Sequence, residues 1–62
     1  MKKEELIALS RNMVEYRARN NISQGKLAEL CKLSHQTICN VENQVQSPTK
    51  LTAQKILNII KN

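Results

Sequence analysis

Aromatic residues are nearly absent: of the 62 residues only Tyr16 is aromatic, with no Trp and no Phe. Single-stranded nucleic acid is held largely by stacking its bases on aromatic side chains, so a platform of that kind is excluded. The chain also has one histidine, two cysteines and no aspartate. That stock yields no carboxylate pair and no nucleophile–base arrangement, and so short a chain leaves no room for a cleft. Neither catalysis nor a cofactor nor a small-molecule substrate is expected. Two cysteines are too few for a disulfide framework, and no signal-like apolar start or membrane-length apolar run occurs. The expectation is a soluble, cytoplasmic protein with reduced thiols and no membrane partner.

What remains is a small, basic chain. Residues 1–62 are expected to form a single domain near the lower size at which a core folds without metal or disulfides. Ten Lys and Arg face five Glu, for a net charge of +5. The charge is spread, with seven basic and four acidic residues up to Lys32 and three and one after it. Such a balance suits a polyanion, because each Lys or Arg that neutralises a phosphate releases condensed counterions. Without stacking residues, duplex DNA is the better partner.

The hydrophobic pattern reads as all-α, with four helical segments and no strand or repeat. From Lys3 to about Asn20, the apolar residues Leu6, Leu9, Met13 and Tyr16 recur at three- and four-residue spacing. Glu4 and Glu5 supply negative charge at the start of that segment, and Asn20 and Asn21 mark its end. Ser23 is a suitable N-cap for a second helix over Gln24 to Cys31, with Leu27, Ala28, Leu30 and Cys31 on one side. Ser34 is the corresponding cap for a third. Ser47 as cap and Pro48 as first helical residue would open a last helix running towards Lys61.

Between Ile22 and Asn43, two short helices with a three-residue connection must pack their apolar stripes together, with Leu33 plugging the angle. Stepping about 100° per residue after Ser34 sends Thr37, Ile38 and Val41 one way. His35, Gln36, Cys39, Asn40 and Asn43 fill the opposite arc, which is polar without being charged. His35 and Cys39 are spaced to share a metal ion, but two ligands are too few and Cys31 faces the core, so no metal site is expected. Cys39 is left as an exposed thiol whose oxidation would add bulk and charge.

These residues resemble the Cro and phage-repressor type of helix-turn-helix protein, also called the xenobiotic-response-element type. The resemblance covers roughly Met13 to Ile60. It rests on Arg17 seven residues before Gln24, the Ser23-Gln24 pair, Leu27-Ala28, Leu33-Ser34, Thr37-Ile38, Val41-Glu42-Asn43, and Pro48 shortly after. It implies a compact lambda-repressor-like domain of four helices, or five if the family's last one is kept, with its helix-turn-helix at about residues 23–43. The chain ends about where that fifth helix would begin, and the long first helix is expected to supply its cover.

Position by position, the resemblance implies roles. Gln24 matches a glutamine that binds a DNA phosphate and braces the reading helix. His35, Gln36 and Asn40 match base-contacting positions, with Ser34 and Thr37 at the groove edge. Asn43 matches a phosphate contact, and Arg17 with Glu42 a structural ion pair. Amides both give and accept hydrogen bonds, as N7 and N6 of adenine require, whereas Arg suits guanine. No Lys or Arg lies between Leu33 and Gln46, although His35 could donate to a guanine or a phosphate. An A·T-leaning half-site is therefore expected, with phosphate grip from Lys26, Lys32, Lys50 and backbone N–H groups at helix starts.

The expected function is a sequence-specific transcriptional regulator, a repressor on a palindromic operator. The alternative is a protein-interaction module on the same scaffold, an antitoxin-like partner or accessory factor; the missing arginine on the third helix keeps it open. In the last helix Ala53, Ile56 and Ile60 form one stripe, from which Leu51 and Ile59 fall away. That surplus serves either a homodimer contact or closure of the core. Two positions depart from the family pattern: Lys32 and Gln44 stand where glycine is common, and each could alter the chain's path.

Overall fold

The computed structural model describes residues 1–61. The Glu5 carboxylate accepts the Lys2 N–H at 2.9 Å and, with Glu4, places negative charge on the first turn, where the unpaired N–H groups of a helix favour it. The helix so begun is α1, Lys3–Asn20. α2, Gln24–Cys31, starts from Ser23, whose hydroxyl accepts the Lys26 N–H at 3.1 Å. α3, His35–Glu42, starts in the same way from Ser34, which accepts the Thr37 N–H at 3.1 Å. α4 is Lys50–Ile60. Among the described residues there is no strand, and no helix is long and apolar enough to cross a membrane.

All four helices contribute to one core: Leu6, Leu9 and Met13 from α1, Leu27, Ala28 and Cys31 from α2, Ile38 and Val41 from α3, and Ala53, Ile56 and Ile60 from α4. Met13, Leu27, Ile38 and Ile56 are wholly removed from solvent. Truncating such a side chain to Ala costs about 2 to 5 kcal/mol, a large share of the stability of so small a fold. Tyr16, Ile22, Leu33, Leu57 and Ile59 pack half-buried around this centre. Leu33 thus sits where the sequence placed it, in the angle between α2 and α3. Leu30 does not join the buried stripe; it is exposed, because Leu27, Ala28 and Cys31 already cover the narrow face that an eight-residue helix offers.

α1, α2 and α3 share one kind of ending. Asn21 (φ 53°), Lys32 (φ 58°) and Gln44 (φ 59°) adopt the left-handed conformation. The next N–H then reaches back five residues: Ile22 to the Arg17 carbonyl at 3.0 Å, Leu33 to Ala28 at 2.9 Å, Val45 to Asn40 at 2.9 Å. This closure satisfies carbonyls that the helix end leaves open and usually employs glycine, since a side chain there costs about 1 to 2 kcal/mol. Asparagine tolerates it; Lys32 and Gln44 carry the strain and keep the geometry. The chain therefore turns as it would with glycine. The apolar residues after the first two turns pack inward, whereas Val45 is 73 % exposed.

α4 begins later than the Ser47-Pro48 pattern suggests. Thr49 is its N-cap, accepting the Thr52 N–H at 3.2 Å, and Ser47 and Pro48 belong to the preceding loop. A threonine hydroxyl able to bond the first turn outweighs the preference of proline for a first helical position. Ala53, Ile56 and Ile60 form the buried stripe as expected, and Leu51 stands 67 % exposed.

Candidate nucleic-acid interface

The foundation of the site is an ion pair joining α1 to α3. Arg17 Nε donates to Glu42 Oε2 at 2.7 Å and its Nη2 donates to Oε1 at 2.8 Å, a two-pronged match of planar guanidinium to carboxylate. The Glu42 side chain is only 3 % exposed and that of Arg17 22 %. The hydrogen bond to Glu42 holds the Arg17 guanidinium above its ordinary pKa, outweighing the opposing effect of burial. Arg17 Nη1 also lies 3.5 Å from the Ile22 carbonyl, tying the pair to the turn before α2.

A chain of polar contacts runs outward from this pair. Gln24 Nε2 donates to Glu42 Oε1 at 2.8 Å, and Gln24 Oε1 lies 3.2 Å from His35 Nε2. The first residue of α2 thereby bridges the buried carboxylate and the first residue of α3. Gln24, His35, Gln36 and Cys39 surround a shallow cleft on this side.

Further along α3, Gln36 Nε2 donates to Asn40 Oδ1 at 2.9 Å, and Asn40 Nδ2 donates to Gln46 Oε1 at 3.3 Å. Asn43 Nδ2 points at Cys39 Sγ, 3.2 Å away. His35, Gln36 and Asn43 are exposed and Asn40 and Cys39 half-buried, so the arc expected to be open is open. Ser34 and Thr37 share a hydrogen bond of 2.8 Å between their hydroxyls at the start of the helix.

The lysines expected near phosphate do not join these networks. Lys26, Lys32 and Lys50 are exposed; Lys26 lies 3.8 Å from Glu29, an exposed pairing of little energetic weight. The thiols differ: burial pushes the Cys31 pKa up and leaves it a protonated core group, while Cys39 is half-buried on the open face. Among the described residues, no group of three or more His, Cys, Asp and Glu side chains comes together as a metal site would require.

A model of the helix-turn-helix family matches residues 13–61, from the middle of α1 to the end of α4. The chain belongs to the Cro/C1-type helix-turn-helix family. Comparison with curated proteins and with solved structures gave no significant match. For this helix-turn-helix protein, membership carries DNA binding in general and the all-α architecture.

Two polar contacts escaped the sequence pattern. Gln46 lies in the loop after α3, six residues beyond the helix's last amide, Asn40, and reaches it only because Gln44 turns the chain back. Gln44 itself donates from Nε2 to Ser10 Oγ at 3.1 Å, and Ser10, 3 % exposed, donates onward to the Ile7 carbonyl at 2.9 Å. Neither has a helical-periodicity signal, since both depend on a left-handed residue outside any helix.

Proposed function

We propose that the protein is a small transcriptional regulator, a repressor, that lays α3 in the major groove of duplex DNA. The observation that carries this reading is an open, uncharged arc of amides and one imidazole held on a frame anchored by a buried ion pair. Gln36 and Asn40 act as the base-reading amides and favour adenine, with His35 beside them. Gln24 and Asn43 contact or support the phosphate backbone, and Ser34 and Thr37 stand at the groove edge. Lys26, Lys32 and Lys50 supply sequence-blind attraction. The work is binding, not catalysis.

The operator is an A·T-leaning palindrome taken by a homodimer through the α4 side, where Leu51 is exposed. Two copies would set their α3 helices about one DNA turn, roughly 34 Å, apart. The absence of any Lys or Arg from Ser34 to Thr49 favours a second reading, a protein-interaction module on the same scaffold. Selection from random duplex DNA at near-physiological salt separates the two, with winners retested against Gln36→Ala and Asn40→Ala. A symmetric A·T-leaning motif lost in the variants supports the operator-binding regulator. Weak, salt-sensitive and sequence-blind binding assigns the scaffold to protein interaction.

A further inference from the structure

His35 carries a constraint that its exposure conceals, and it begins at Glu42. A carboxylate engaged by a guanidinium through both oxygens is ionised and can only accept hydrogen bonds. The Gln24 atom that faces Glu42 Oε1 at 2.8 Å must therefore be its amide nitrogen, which fixes the orientation of the whole amide. Its oxygen is then the atom facing His35 Nε2 at 3.2 Å, and an amide oxygen also only accepts. A hydrogen bond at that distance requires a proton on Nε2. Rotating the ring by half a turn would put a carbon in place of the nitrogen and lose the bond. In neutral imidazole only one ring nitrogen carries hydrogen, so Nδ1 is the unprotonated acceptor. Nδ1 has no partner among the described residues, and the groups around the ring are Gln24 from α2 with Gln36 and Cys39 on α3.

We propose that Gln24, oriented by the Arg17–Glu42 pair, holds neutral His35 as its Nε2–H tautomer, so that His35 offers DNA an acceptor and selects an exocyclic amine. This rests on α3 lying in the major groove. There the exocyclic amines are N6 of adenine and N4 of cytosine, while guanine presents only acceptors at O6 and N7. Donation to guanine or phosphate, which the bare sequence permits, would need a second ring proton, because the one donor is already committed to Gln24. Gln24 is thus a positioning residue, acting on the base through the imidazole. The side chain that reads at this position is specified from the Arg17–Glu42 pair that joins α1 to α3.

Two measurements test this independently. In the free protein, nitrogen-15 NMR of the His35 ring should show a protonated Nε2 and an unprotonated Nδ1. Gln24→Leu, checked for retained helical content, should move the ring towards the mixed tautomers of free imidazole. A protonated Nδ1 in the native protein, or a ring unchanged by Gln24→Leu, overturns the tautomer assignment whatever the protein binds.

On a selected duplex, bases facing His35 are then altered one atom at a time. Deleting the exocyclic amine should weaken the native protein several-fold and leave His35→Ala unaffected, while replacing a purine N7 by carbon should not distinguish the two. Sensitivity to N7 instead of the amine overturns the acceptor role and leaves groove reading standing. A duplex in which no position responds to His35→Ala while Gln36→Ala still weakens binding does the same. Failure to select any duplex overturns both together.

Discussion

The two polar networks on α3 are built from similar side chains and anchored in opposite ways. At its start, His35 meets Gln24, which meets Glu42, which meets Arg17, so the contacts run inward to a nearly buried carboxylate and end on fixed charge. At its end, Gln36, Asn40 and Gln46 pass hydrogen bonds outward to an exposed loop, where no charged group terminates the chain. An ion at one end fixes the direction of every bond in the first network. Reversing both Gln36 and Asn40 amides in the second leaves a hydrogen bond between them, so its polarity is free to follow a partner. One face of one helix thus combines a preset element with an adaptable one.

The largest effect comes from breaking the anchor. Arg17→Ala strands a carboxylate that is almost wholly buried, and is expected to cost about 3 to 5 kcal/mol of folding stability. Glu42→Ala should cost less, because the more exposed guanidinium can turn towards water. Urea or thermal melts of both variants give the order directly. Equal losses, or a loss below about 1 kcal/mol for Arg17→Ala, would show that the pair behaves as a surface ion pair and anchors nothing.

Next in size is the adaptable network. Gln36→Ala and Asn40→Ala should each weaken binding to a selected operator by about 1 to 3 kcal/mol while leaving the melting curve near that of the native protein. Titrations with labelled duplex provide the readout. Full affinity in both variants would remove these amides from base recognition and favour the protein-interaction reading.

The anchored network was the more legible of the two in the sequence. Arg17, Gln24 and Glu42 are separated along the chain but fall at spacings that recur in the family, and Ile38 and Val41 fix the face of α3 that turns inward. Ser23 and Ser34 were readable as caps because a hydroxyl before an apolar-periodic run has a direct backbone role. The start of α4 was misplaced because Ser47-Pro48 and Thr49 both offer plausible openings. Only the hydrogen bond to Thr52 distinguishes them. Gln46 was invisible for a different reason. Its reach to Asn40 follows from the positive φ at Gln44, and no residue type at that position announces the turn.

The strained turns sharpen the contrast at about 1 kcal/mol. Lys32 pays for a left-handed φ and its side chain takes part in neither network; Lys32→Gly should therefore stabilise the fold by roughly that amount. Gln44→Gly relieves similar strain but removes the hydrogen bond to buried Ser10, so its net gain should be smaller. Chemical denaturation of the two variants side by side tests the difference. A larger gain from Gln44→Gly would mean that the Ser10 contact contributes nothing and that strain alone governs both turns.

The smallest effect separates the networks by sign. Asn40 already gives one amide hydrogen to Gln46 and accepts one from Gln36, so a base approaching Asn40 competes with contacts made in the free protein. Gln46→Ala removes one competitor on an exposed loop, and should leave stability and operator affinity within about 0.5 kcal/mol of native, with any change in affinity upward. Gln24→Ala removes an orienting group and should shift affinity downward. Paired titrations on one duplex decide the matter. A loss for Gln46→Ala as large as that for Gln24→Ala would mean that the outer network is preset as well, with the loop after α3 serving as a second anchor for the reading face.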